Sequence, residues 1–81
     1  MKDKILFVSD LCPDCANILA EAKENPEKYA EYDMVNITSS MPSLKLFLKY
    51  RDTLDGYADV RAAHRAGVPS VVIGENEVEF L

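Results

Sequence analysis

Histidine, glycine and positive charge are all scarce in this chain. Its 81 residues include one histidine and three glycines, and nine basic residues face fourteen acidic ones for a net charge of −5. With His64 as the lone imidazole, a zinc site would have to be completed from Cys12, Cys15 and scattered carboxylates, a poor match to the four-ligand structural sites. There is no phosphate loop, no nucleophile triad and no repeat. The acidic balance leaves no basic stripe for nucleic acid or an anionic membrane surface. Long apolar runs are missing too: Ile5 to Val8 is four residues and meets Ser9-Asp10, too short for a signal-peptide core, and nothing approaches a membrane span. The expectation is a soluble cytoplasmic protein with neither nucleic acid nor membrane as partner.

Residues 1–81 suffice for one small domain, without room for a second core or a long linker. Such a domain buries only about 60–70% of its unfolded surface and needs nearly all of its apolar residues inside. A hydrophobic content of 48% supplies them.

Against these scarcities stands Cys12-Pro13-Asp14-Cys15, which holds both cysteines of the chain. It lies where an apolar run gives way to a helical pattern. In a reducing cytosol a permanent structural disulfide is uncommon, so thiols at this spacing cycle or hold a metal. The first cysteine at a helix N-terminus meets free N–H groups and the positive end of the helix dipole, which favour a thiolate. The second, one turn further in, is close enough to close a disulfide. Pro13 suits the first helical turn, where its missing N–H is no loss. Asp10 and Asp14 flank Cys12, and their like-sign charge opposes thiolate formation there.

The pattern predicts a buried central strand over Ile5–Val8 and a helix from Pro13, with Cys15, Ile18, Leu19 and Ala22 on one face, ending at Asn25-Pro26. A loose turn is expected over 27–31 and a second strand over Tyr32–Ile37. A second helix follows Thr38-Ser39-Ser40, with Leu44, Phe47 and Leu48 inward and Lys45 and Lys49 outward. A third, capped by Asp55 or Asp59, runs through Val60, Ala63 and Ala66 to a stop at Gly67. Val68–Ile73 and Glu77–Leu81 form a hairpin across Gly74-Glu75-Asn76. The order is β-α-β-α-α-β-β, an α/β fold whose first two strands are parallel and whose last two are antiparallel. Phe7, Phe47 and Phe80 are assigned to the core, His64 to the surface, and Glu75, Glu77 and Glu79 to a solvated edge.

A first strand ending in Cys-Pro-x-Cys, a helix, a second strand and then Val68-Pro69 opening a hairpin resembles the glutaredoxin branch of the thioredoxin fold over nearly the whole chain. The stretch Leu44-Lys45-Leu46-Phe47-Leu48-Lys49-Tyr50-Arg51-Asp52 is similar to small bacterial glutaredoxin-related proteins. The resemblance implies a four-stranded mixed sheet flanked by helices, here without the usual C-terminal helix. It also implies that Pro69 is cis and faces the cysteines, and that the backbone of Val68 pairs with substrate like an added strand. The absence of tryptophan sets the chain apart from true thioredoxins and from the redoxins that serve ribonucleotide reductase. Several positions depart from the glutaredoxin pattern: its glutathione-binding lysine is Ser9, the aromatic residue inside the motif is Asp14, and the threonine of Thr-Val-Pro is Gly67. The basic or amide residue before that is Ala66, beside Arg65. The Gly-Gly turn and acidic helix cap are missing.

The resemblance implies a thiol-disulfide oxidoreductase in which Cys12 attacks and Cys15 resolves, with Pro13, Asp14 and Asp10 modulating and Val68 and Pro69 binding substrate. No cofactor is required. A disulfide-containing protein or small molecule would be the substrate, and a reductase or glutathione the reductant, with a monomer as the working unit. The alternative is a redox-inactive module, or one binding a metal or iron-sulfur cluster, on the same fold.

Overall fold

A computed structural model describes residues 3–81. Four strands form one mixed sheet in the order β2-β1-β3-β4: β1 over Lys4–Val8, β2 over Tyr32–Asn36, β3 over Ser70–Ile73 and β4 over Glu77–Phe80. β1 runs parallel to β2, with Lys4 opposite Tyr32 and Val8 opposite Asn36. It runs antiparallel to β3, with Lys4 opposite Ile73 and Phe7 opposite Ser70. β3 and β4 are antiparallel. Ile5, Leu6, Phe7 and Val8 are all buried, as a central strand covered on both faces must be.

The period of two along β1 divides the core. Leu6 and Val8 join Val71 and Cys15 on one face, against helix α1 over Ala16–Glu24. Ile5 and Phe7 join Val72, Phe47, Tyr50 and Tyr57 on the other, against α2 over Met41–Arg51. The short α3 over Ala58–Ala62 follows a single 3-10 turn, Asp55–Tyr57. Gly56 lets that turn lie on β4, since a Cβ there would stand 2.8 Å from the Cβ of Val78.

Several boundaries differ from the sequence reading. The helix after the cysteines opens as a 3-10 turn over Pro13–Cys15 before α1 begins, and a second 3-10 turn occupies Pro26–Tyr29. α2 is capped by Ser40, whose side chain accepts from the Ser43 N–H. Its buried pair is Phe47 and Tyr50, with Leu44 and Leu48 half-buried, because Tyr50 reaches the ring of Phe7 at 6.1 Å.

The third helix is much shorter than expected. Neither Asp55 nor Asp59 caps it with a side chain, and His64, at φ +57°, turns the chain away. Ala63 and Ala66 are consequently exposed and outside it. β3 starts at Ser70, not Val68, and Pro69 has no N–H to give a ladder. Phe80 is 50% exposed: it sits on edge strand β4 and lays its ring edge-on to Tyr57 at 5.7 Å. The hairpin turn places Gly74 and Glu75 at φ +58° and +67°.

Candidate functional site

The end of β1 sets the site. Past Val8 the chain bends through Ser9 to Leu11, and the Cys12 N–H returns to the Ser9 carbonyl at 3.2 Å. The Cys15 N–H then donates to the Cys12 carbonyl at 3.0 Å, closing the turn. Both cysteines are free thiols; Cys12 is half-buried and Cys15 is buried. Cys12 caps the helical segment in an extended conformation, and Pro13 occupies its first turn.

The environments of the two thiols differ. Burial pushes the Cys15 thiol up, and the neighbouring Cys12 and the Asp14 carboxylate add to the effect. The Ser9 N–H, 3.4 Å from the Cys15 Sγ, works the other way by donating to the sulfur. A buried thiol under these influences keeps its proton.

Ser9, 3% exposed, is fixed on several sides. Its hydroxyl accepts from the Leu11 N–H at 3.1 Å and pairs with the Thr38 hydroxyl at 2.8 Å. Thr38 in turn donates to the Asp10 carboxylate at 3.0 Å. Asp10 is held below the usual carboxylate range by the Asn36 side chain first and Thr38 second. The parallel pairing of β1 and β2 brings these residues together just beyond the strand ends. Asp10 is thus turned toward Asn36 and Thr38, while Asp14 is the carboxylate that acts on Cys15. In the sequence Thr38 stands only as part of the polar stretch ahead of the second helix, and its contact with Asp10 is legible only through the strand register.

Val68 and Pro69 stand on the chain that leads into β3, joined by a cis peptide bond. Val68 packs against the cluster of Leu6, Val8, Cys15 and Val71, as does Cys12, so the motif and the Val68-Pro69 step share one packing unit. Among the described residues, no backbone hydrogen bond involves the N–H or carbonyl of Val68. The Pro69 carbonyl accepts from the Leu81 N–H at 3.2 Å. A cleft of about 480 Å³ opens here, lined by Asp14, Asp59, Val60, Arg65, Gly67, Val68, Pro69, Phe80 and Leu81. Asp14 also borders a second cleft of about 570 Å³ that includes Asn17, Ile18, Tyr29 and Tyr32. His64 lines neither and is exposed.

Gly67, one of the departures noted above, is explained by its surroundings. Its φ is +95°, and a Cβ there would meet Val60 at 3.1 Å and Tyr57 at 3.3 Å. A threonine does not fit that backbone. Ser9 likewise cannot serve as a lysine would, being buried and bound to its neighbours.

Among the described residues no group of three or more His, Cys, Asp or Glu side chains is placed to hold a metal ion. No helix among them is long and apolar enough to cross a membrane. No family model matches the chain, and no solved structure does. Among curated proteins it is 32% identical over 78 residues to a protein of Haemophilus influenzae described as uncharacterized, an alignment covering 96% of this chain and 87% of that one. The chain belongs to one family with that protein.

Proposed function

We propose that the chain is a dithiol thiol-disulfide oxidoreductase with a thioredoxin-like fold of the glutaredoxin type, acting through Cys12 and Cys15. The contrast between the two thiols carries the reading: Cys12 is half-buried at the opening of a helical segment, and Cys15 is buried one turn inside with its thiol pushed up. That is the division of labour an attacking and a resolving cysteine require. The position of the motif after a central strand also supports it, as does the Val68-Pro69 step packed on the same cluster. The backbone of Val68, which takes no backbone hydrogen bond among the described residues and lies beside a cleft, is suited to a peptide laid alongside it.

In the reaction, the Cys12 thiolate attacks one sulfur of a substrate disulfide, forming a mixed disulfide and expelling the other sulfur as a thiolate. Cys15 then loses its proton and attacks the Cys12 Sγ. The second substrate thiolate leaves, and the protein carries a Cys12–Cys15 disulfide. Two electrons have passed to the substrate, whose two thiolates take up protons. A reductase or glutathione in a reducing compartment would return the dithiol. The carboxylates around the motif and the buried Ser9 in place of a lysine favour substrates other than glutathione. The protein works as a monomer in this reading.

Equilibration of the protein across thiol redox buffers, with thiols counted by alkylation and intact mass, tests the proposal. A reversible two-electron titration between about −270 and −200 mV, the range of thioredoxin and the glutaredoxins, is expected. Failure of the intramolecular disulfide to form reversibly at any accessible potential would overturn it and shift the weight to a redox-inactive or metal-binding module. With Cys15→Ser, a mixed disulfide should accumulate on Cys12.

A further inference from the structure

The segment between α3 and β3 has no regular structure, yet it forms a wall of the cleft beside Val68 and Pro69. Two residues in it, His64 and Gly67, have positive φ. Between them lie Arg65 and Ala66, whose carbonyls point back to the end of α2. There a single side chain receives both: Arg51 donates from Nη2 to the Arg65 carbonyl at 2.6 Å and from Nε to the Ala66 carbonyl at 3.1 Å. The guanidinium fork is rigid and planar, so two donors on adjacent carbonyls fix the orientation of that backbone as well as its position.

A second arginine closes the circuit. Arg61, on α3, donates from Nη1 to the Arg51 carbonyl at 2.7 Å and to the Leu54 carbonyl at 2.8 Å. The Arg51 carbonyl is among those a helix C-terminus leaves unpaired, so Arg61 both satisfies it and ties α3 to α2. The segment that follows α3 is then held where it leaves the helix and again at Arg65 and Ala66.

We infer that Arg51 is a positioning residue, whose grip on the Arg65 and Ala66 carbonyls presents the Val68 backbone to an extended peptide disulfide. The inference rests on the dithiol reading above. Arg51 lines neither cleft, and its side chain is 21% exposed, so it acts through the backbone it holds.

Arg51→Lys and Arg51→Ala distinguish this role from a general contribution to folding. Each variant and the wild type would be assayed on two substrates: a cysteine peptide oxidised to its dimer, and bis(2-hydroxyethyl) disulfide, which is too small to extend along Val68. The expected result is a KM for the peptide raised about tenfold, the scale of one lost hydrogen bond to a charged group. The kcat for the peptide, the rate on the small disulfide and the redox midpoint should hold in Arg51→Lys, which keeps the charge but loses the fork. An unchanged peptide KM in both variants, or equal losses on the two substrates, would overturn the inference while leaving the dithiol activity standing. A wild type that reduces neither disulfide would overturn the dithiol reading itself, and this inference with it.

Discussion

The two faces of the sheet are built differently. Under α2, Phe7 meets Phe47 at 5.1 Å and Tyr50 at 6.1 Å, and Phe47 meets Tyr57 edge-on at 5.9 Å. These rings form one buried aromatic cluster, with tilted and edge-to-face contacts that add to the burial of their large surfaces. Under α1, the fully buried set is Leu6, Val8, Cys15 and Val71, and much of the remaining contact comes from half-buried residues such as Cys12, Ile18 and Leu19. One face concentrates apolar area, while the other is thinner, is bordered by clefts and carries the thiols. The comparison assigns stability mainly to the first face and reactivity to the second.

The largest test of that division is Phe7→Ala. Its ring is fully buried in the central strand, and truncation should cost about 3–5 kcal/mol, a large share of the stability of a small domain. Cys15→Ala, on the other face, removes roughly one buried methylene-sized group and should cost about 1 kcal/mol. Urea unfolding of the reduced proteins measures both. Equal losses would mean that the faces share the load and that the division is wrong.

The sequence shows the first face less clearly than the second. The apolar run Ile5–Val8, the Cys-Pro-x-Cys spacing and the hairpin signal around Gly74 are local patterns, and they locate the strands and the motif to within a residue or two. Tyr50 and Tyr57 carry no such signal: tyrosine is equally at home on a surface, and their burial depends on rings brought in by α2 and the turn at Asp55–Tyr57. Phe80 misleads in the opposite direction, because edge-strand position outweighs residue type. The end of α3 depends on His64 taking a positive φ, a conformation its residue type does not announce. Within the site, the motif and Val68-Pro69 are visible as residues, but the contacts of Ser9 with Thr38 and of Arg51 with its two carbonyls are long-range and follow only from the assembled topology.

Tyr57 and Ser70 sharpen the boundary between the faces. The tyrosine hydroxyl and the Ser70 Oγ are 2.7 Å apart and buried, joining the aromatic cluster to the first residue of β3, directly after Pro69. Tyr57→Phe leaves the serine hydroxyl without its partner, and Ser70→Ala does the same to the tyrosine. Each should cost about 1–3 kcal/mol. The double variant should cost clearly less than the sum, because removing both partners leaves no orphaned polar group. Strict additivity in a double-mutant cycle would show that the pair carries no coupling and that the rings alone hold the turn at Asp55–Tyr57 against the sheet.

The smallest effect lies on the thiol face and depends on pH. Burial raises the Cys15 thiol above its ordinary value, so the folded protein keeps a proton that the unfolded chain gives up. The resulting stabilisation is complete below the unfolded thiol value of about 8.5 and is lost as pH rises from there through the folded value. Tyr57 is raised by burial in the same sense, but its loss begins only near a tyrosine's ordinary value of about 10. Urea midpoints of the reduced protein at intervals from pH 7 to about 9.5 therefore isolate the cysteine, within the span set by those two reference values. The wild type should lose stability with pH more steeply than Cys15→Ala. Parallel slopes would mean that Cys15 titrates alike in the folded and unfolded chains. In that case the thiol face would lack the contrast between an accessible and a sheltered sulfur on which its assignment to reactivity rests.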